Sequence, residues 1–360
     1  MGYQLTWRLV AAGHEVTLLN RGTHPDPFGS RVSRLRADRT QKEFFTVLAG
    51  REFDAAVDFA AFQRVDAEGV VKALDDRVGH YVLISTGQVY LVRSDPPGFI
   101  KVGGNVGEGA SDAPRSPPHP PAAAAAFGVA GLPAREEDYD GPLMAEPPPG
   151  DRDRGDWEYG MGKRACEDVL AAAWSKRRFP STRLRIPIVN GERDHLRRLE
   201  SYVWRILDGG PVLVPEGGGA RLRQVYSGAV VSTLLRVLGD PTTFGQAYNV
   251  CQHETPTLAE LLVMLADLVG APARLVAVPV AEMEKAGLDP IAASPFSTRW
   301  KSFLDPGRAQ RELAFVHPPL RAYLDKTVAS LLAYMPAEPP PSYAQRPREL
   351  EFARGLQGRQ

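Results

Sequence analysis

Tyr159 and Lys163 stand four residues apart in the run Trp157-Glu158-Tyr159-Gly160-Met161-Gly162-Lys163-Arg164. On a helix that spacing places both side chains on one face. A free phenol ionises near pH ~10, too high for proton transfer at neutral pH. An ammonium beside it favours the phenolate and lowers that value. The pair therefore reads as an acid/base device for chemistry at an alcohol or ketone carbon. The spacing alone is common on helices, where a lysine ordinarily sits in solvent, so the elements around the pair decide its meaning.

Those elements alternate. Residues 4–12 put Leu5, Leu9 and Val10 on one helical face, and Gly13 stops the helix. Residues 14–19 read as a short strand closed by Asn20-Arg21-Gly22, and 32–35 as another. A helix over 41–49, an apolar strand over 54–61, a helix over 65–76 and an apolar strand over 81–85 follow. After a long break come a helix over 157–175 and a strand over 183–189. Helices alternating with strands that lack a polar face predict an α/β fold, a Rossmann-type doubly wound parallel sheet. Ligands of such sheets collect outside the carboxyl ends of the strands. Thr86 follows the strand 81–85 and falls at that edge, while alternation sends Ser85 to the other side.

From about residue 192 the texture changes. Helices are expected at 195–208, 228–238, 257–269, 306–313 and 319–333, with short strands at 247–250 and 274–278. Residues 212–214 and 222–226 flank PEGGGAR and read as a β-hairpin. This half predicts a smaller α+β substrate lobe. The organisation expected is a dinucleotide-binding domain at 1–190 with a surface insertion at 95–133, a lobe at 191–335, and a loose Pro/Arg-rich tail at 336–360. The insertion is dominated by Pro, Gly and Ala without periodicity. Its GGNVGEG stretch at 103–109 is no phosphate loop, because no strand precedes it and no helix follows.

Bulk composition excludes several function classes. Lys+Arg and Asp+Glu both number 43 in 360 residues, so no net charge steers the chain toward nucleic acid or acidic lipid. No basic run is interleaved with aromatics, and nucleic acid is not an expected partner. The two cysteines and seven scattered histidines have no metal-ligand spacing, which predicts no metal site and buried thiols in a reducing compartment. No apolar run reaches the ~20 residues of a membrane span, and no signal peptide is evident, so a cytoplasmic protein is expected.

Six segments in order then point to one family: GHEVTLLNRG at 13–22, ADRT at 37–40, VDFAAF at 57–62, LISTGQVY at 83–90, YGMGK at 159–163 and LRIPIVNG at 184–191. With them the chain resembles the extended short-chain dehydrogenase/reductase family of NAD(P)-dependent epimerases, dehydratases and reductases. The resemblance implies that Tyr159 passes a proton to or from the substrate oxygen. It implies that Thr86 orients the substrate and that Lys163 both tunes Tyr159 and binds the nicotinamide ribose. Gly2, Asn20, Arg21, Asp38, Phe59, Ala60, Ala61 and Ile186 would line the cofactor. Gln88 and Arg223, with Arg221 an alternative to the latter, would meet a small-molecule substrate of the nucleotide-sugar type. A carboxylate after the second strand usually binds the ribose 2′-hydroxyl of NAD, whereas Arg suits the 2′-phosphate of NADP. Arg21 stands there with a planar donor fork. NADP is the expected cofactor, NAD the alternative, and a homodimer is admitted.

The segments VYLVR, EEDYDGPLM and KRACED also resemble the branch that includes chloroplast stem-loop RNA-binding proteins. The alternative function is thus a non-catalytic or decayed NAD(P)-binding regulatory protein that contacts RNA. The chain departs from the family in one further respect. Counting back from Gly13-His14, Gly2 falls on the third glycine of the phosphate-binding turn, and the first strand and first two glycines are absent from the sequence. A central strand is worth on the order of 10 kcal/mol at ~1.5–3 kcal/mol per buried aliphatic side chain, against a whole-domain stability of ~5–15 kcal/mol. The favoured expectation is a natural start further upstream. The other is a degenerate copy that binds cofactor poorly.

Overall fold

A computed structural model describes residues 1–96 and 132–357 of the chain. The expected insertion at 95–133 lies almost wholly outside the described residues, its glycine-rich stretch included.

The first half runs Gly2–Ala11 (α1), Val16–Asn20 (β1), Val32–Arg36 (β2), Ala56–Asp58 (β3), Arg64–Ala73 (α2), Tyr81–Thr86 (β4) and Gln88–Leu91 (α3). Next come Arg154–Arg177 (α4), Ser181–Ile186 (β5), Ile188–Asn190 (β6), Arg198–Leu207 (α5), Pro211–Pro215 (β7) and Gln224–Tyr226 (β8). Ser227–Val237 (α6), Ala247–Asn249 (β9), Leu258–Val269 (α7), Arg274–Val278 (β10), Val280–Lys285 (α8) and Pro290–Ala293 (α9) follow. Gly307–Leu313 (α10), Leu320–Ala333 (α11) and Arg346–Gln357 (α12) close the chain. Local chemistry sets many of these bounds. In α7, Thr257 and Glu260 form a reciprocal capping box, and Gly270 takes the left-handed conformation that ends the helix.

β3, β4, β5 and β9 form a four-stranded parallel sheet in that order. Alternation along β4 explains its two-sided burial. Tyr81 and Leu83 join a core with Ala67, Val70 and Val71 of α2 and Cys166 and Leu170 of α4. Val82 and Ile84 face a second core that continues through α5, α6, α7 and α11. That core runs unbroken from Leu5 to Val328, so the first half and the expected lobe share one apolar interior. β1 and β2 form a separate parallel pair, and among the described residues neither is hydrogen-bonded to β3. α1 packs on β1 and on α6.

Two expectations are corrected. The hairpin at 212–226 does not form: β7 pairs in parallel with β10, and β8 in parallel with β6. The Gly-rich run signals a turn, but Glu216–Gly218 make a single 3-10 turn and the chain crosses over. Parallel partners need such crossovers, which a local turn signal cannot report. The run after Pro336 is not a loose tail either. It forms α12, and Glu349 there pairs with Arg205 of α5 at 2.7 Å with both side chains fully buried. A polar, Arg-rich sequence reads as solvated until its charges find buried partners.

Candidate active site

β4 ends at Thr86, whose hydroxyl accepts a hydrogen bond from the Gln88 backbone N–H at 3.2 Å. Alternation holds at this edge. Ser85 turns away and donates to Glu167 of α4 at 2.5 Å, whereas Thr86 lies on the side of Tyr159 and acts on its phenol. α4 approaches closely enough for this because of its glycines. A Cβ added at Gly162 would stand 2.2 Å from the Phe62 carbonyl oxygen, so only glycine lets the helix backbone come this near. The glycine costs about 1 kcal/mol of helix propensity, which the close approach offsets.

Lys163 is buried, and its ammonium donates to the Ile84 carbonyl at 2.8 Å while lying 4.6 Å over the Phe62 ring. Burial pulls it down to about 8. The spacing predicts a Tyr159 phenol lowered by this ammonium. Burial instead pushes the phenol up, Thr86 pulls it part of the way back, and Asp156 adds to the rise. The reason is geometric: the ammonium is turned to Ile84 and Phe62. Asp156 is itself raised by burial and accepts from Gln88 Nε2 at 3.2 Å. Sequence reading passed over Asp156 and Phe62. The signals were present, since Asp156 lies three residues before Tyr159 on the same helix and Phe62 closes the VDFAAF segment.

The remaining predicted residues fall into three places. Ile186 ends β5 opposite Thr86, and its carbonyl accepts from Gly87 N–H at 2.9 Å. Phe59 follows β3 beside Gly2, which begins α1; a Cβ on Gly2 would meet the Phe59 ring at 3.7 Å. The N–H groups of Ala60 and Ala61 are already used, both donating to Asp58 Oδ1. Asp58 is also bound by Arg39 and by the Tyr81 hydroxyl, and its carboxyl stays below the usual range through Arg39 despite burial. Asn20, Arg21 and Asp38 lie at the carboxyl ends of β1 and β2. Hydrogen bonds from Thr40 hold Asp38 low, helped by the charge of Arg21.

Arg223, expected to meet substrate, donates to the Leu304 and His253 carbonyls and lies 4.2 Å over Phe303. Arg221 is turned to Thr255 instead. Among the described residues Gln88 Oε1, Trp157 Nε1 and Arg223 Nε are buried without a hydrogen-bond partner. Among the described residues no helix is long and apolar enough to cross a membrane.

No protein-family model and no curated protein matches the chain. Solved structures do match in fold. A dTDP-glucose 4,6-dehydratase from Streptomyces venezuelae, with NAD bound, is 19% identical at a TM-score of 0.62, covering 92% of this chain and 94% of that one. A UDP-glucose 4-epimerase from Thermotoga maritima, with UDP-glucose, is 16% identical at 0.62, covering 93% and 96%. An epimerase from Methanothermobacter thermautotrophicus is 14% identical at 0.64, covering 92% and 89%. The chain has the Rossmann-like α/β fold of these enzymes.

Proposed function

We propose that this chain is an NADP-dependent oxidoreductase or isomerase of the epimerase/dehydratase kind, acting at an alcohol or ketone carbon of a nucleotide-sugar-like substrate. The observation that carries the reading is that Thr86, at the carboxyl edge of the sheet, acts on the Tyr159 phenol, with buried Lys163 one helical turn further along α4. The donor set fits an adenine dinucleotide. The first turn of α1 has no side-chain cap, leaving its N–H groups for a pyrophosphate, and Arg21 rather than an acid follows β1. A bound nicotinamide dinucleotide supplies the hydride donor and acceptor. Tyr159, held above its ordinary value by burial, is protonated at neutral pH and donates to the substrate oxygen as a carbonyl is reduced. Thr86 Oγ1 orients that same oxygen. The structural relatives with nucleotide-sugar ligands support that substrate class.

The test measures NADPH binding by fluorescence and NADPH oxidation against a panel of dTDP- and UDP-hexoses. Tyr159→Phe is expected to lower turnover by about 10²–10⁴-fold while leaving NADPH binding in place. Undiminished turnover would sink the role of Tyr159, and an inability to bind any nicotinamide dinucleotide would remove the whole reading.

A further inference from the structure

We propose that the cavity beside β9 is a second ligand site, separate from the Thr86–Tyr159 corner, which takes the carboxylate or phosphate group of a small polar metabolite against Arg183. The cavity has a volume of about 660 Å³, within the ~300–1,000 Å³ of small-molecule sites. It opens at β9, the strand beyond β5 in the four-stranded sheet. Arg183 and Arg185 stand two apart on β5, so they share a face of the sheet, and Arg185 is level with Ser85. Thr86 is on the opposite face, and none of Thr86, Tyr159 and Lys163 lines the cavity.

Two guanidiniums on that face share one carboxylate. Buried Glu167 takes Arg185 at 2.6 Å and the Ser85 hydroxyl at 2.5 Å. Arg183 is only 9% exposed, and among the described residues it makes no ion pair. Its Nε donates to the Gln246 carbonyl at 3.3 Å and its Nη2 to the Gly245 carbonyl, which leaves Nη1 without a hydrogen bond among the described residues. Burial pulls the guanidinium below its ordinary value in spite of Glu167. A buried cation without a counter-ion is costly, and an oxyanion in the cavity supplies the missing charge.

The carboxylates of the cavity do not supply it, because most are turned to other donors. Glu312 receives Arg308 at 3.0 Å and the Tyr248 hydroxyl at 3.0 Å. Asp305 accepts from the Gly307 N–H at 2.7 Å and lies 3.5 Å from Arg135. Glu136 accepts from the Asn249 N–H at 2.7 Å, and burial raises its carboxyl. Glu137 and Asp140 are exposed and suit hydroxyls elsewhere on the same molecule. Arg308 meets Arg183 at one residue: its Nη2 donates to Gln246 Oε1 at 2.7 Å while Arg183 holds the Gln246 carbonyl. Arg311, exposed and without an ion pair among the described residues, adds a further cation to the lining.

The experiment uses the full chain and follows its melting midpoint by circular dichroism as sodium phosphate or sodium malonate is added. Sodium chloride at matched ionic strength is the reference. A saturable rise above that reference is expected; malonate acting alone assigns a carboxylate, phosphate acting alone a phosphate, and either supports the site. Arg183→Met is expected to raise the half-saturating concentration by more than about tenfold. The exposed Arg311→Glu is expected to raise it about two- to fivefold, with NADPH binding unchanged in both variants. Arg21→Gln, which follows β1 and lies outside the cavity, is expected to keep the full response. Equal midpoints in phosphate, malonate and chloride overturn the site and leave Arg183 a structural tie to the Gly245 and Gln246 carbonyls. A response lost in Arg21→Gln also overturns it. Should Arg183→Met fail to fold, an undiminished response in Arg311→Glu overturns it as well.

Discussion

β4 and β1 are both short parallel strands that end in residues assigned to ligand, yet every residue of β4 is buried and none of β1 is. Their sequences do not explain this, since YVLIST and VTLLN are both apolar enough for a sheet interior. Their neighbours do. β4 is hydrogen-bonded to β3 on one side and β5 on the other, with α2 and α4 against one face and the main core against the other. β1 has β2 on one edge and α1 against it. The Thr86–Tyr159 corner is consequently built on a doubly flanked sheet, where positions are held tightly. The Asn20–Arg21 end is built on a two-stranded ribbon in which Val32 alone is buried, the kind of region that opens locally at low cost. Preorganisation and electrostatic pairing should therefore matter far more at Thr86 and Tyr159 than at Arg21 and Asp38.

The sharpest way to break that comparison is to remove one carboxylate from an ion pair in each region. Glu167 pairs with Arg185 at 2.6 Å, with 1% and 4% of the side chains exposed, and also accepts from Ser85. Glu167→Gln leaves the Arg185 charge buried without compensation. A loss of about 3–5 kcal/mol is expected, read as a lower urea midpoint by circular dichroism. Asp26→Asn breaks the Asp26–Arg34 pair at the surface of the β1–β2 ribbon and is expected to leave the midpoint where it was. Equal losses would mean that both regions are equally desolvated, and the contrast would fall.

Lys163→Met is expected to move stability the other way. In the folded chain the ammonium is drawn from 10.5 down to about 8 by burial. Between those values the unfolded chain holds the proton and the native chain does not, so stability rises with pH across that window. Below pH 8 the native state bears the full cost of charging a buried amine, roughly 3 kcal/mol at about 1.4 kcal/mol per pKa unit. Lys163→Met removes that cost while abolishing turnover. The gain at pH 7 should approach this figure and shrink as pH climbs past 8 toward 10.5, in urea melts at several pH values. A variant less stable than wild type at pH 7 would show that the Ile84 carbonyl and the Phe62 ring already compensate the charge.

How far the sequence revealed these features depended on whether their cause was local. The α4 helix, its Tyr159–Lys163 spacing and the all-apolar β4 strand were legible, because helical periodicity and apolar runs are short-range signals. The split of Ser85 and Thr86 to opposite sides followed from strand alternation alone. The parallel pairing of β7 with β10 was not legible, since its partner lies some sixty residues on and the intervening PEGGG mimics a hairpin turn. Nor was the docking of α12, whose anchor is the Arg205–Glu349 pair across 144 residues. At the site, spacing correctly put Tyr159 and Lys163 on one helix but misjudged the phenol. Its ionisation depends on burial and on where the ammonium points, and both are set by β4, Phe62 and Asp156 rather than by the helix itself.

Asp156 offers the finest adjustment of the buried corner. Its carboxylate lies one helical turn before Tyr159, and its negative charge raises the phenol further. Asp156→Asn removes the charge while keeping an oxygen to accept from Gln88 Nε2, so the packing of the corner is retained. Without the neighbouring anion the phenolate is less disfavoured, and the Tyr159 value falls. In the proposed mechanism Tyr159 is the acid of the reducing direction, and turnover then declines as pH rises through its ionisation. The alkaline limb of the pH–rate profile for NADPH oxidation should therefore move to lower pH in Asp156→Asn, with the plateau at neutral pH nearly unchanged. A limb that stays in place would show that the Asp156 charge is screened from the phenol, and that the corner is wetter than its burial implies. A loss of the plateau itself would show instead that Asp156 and Gln88 hold substrate directly.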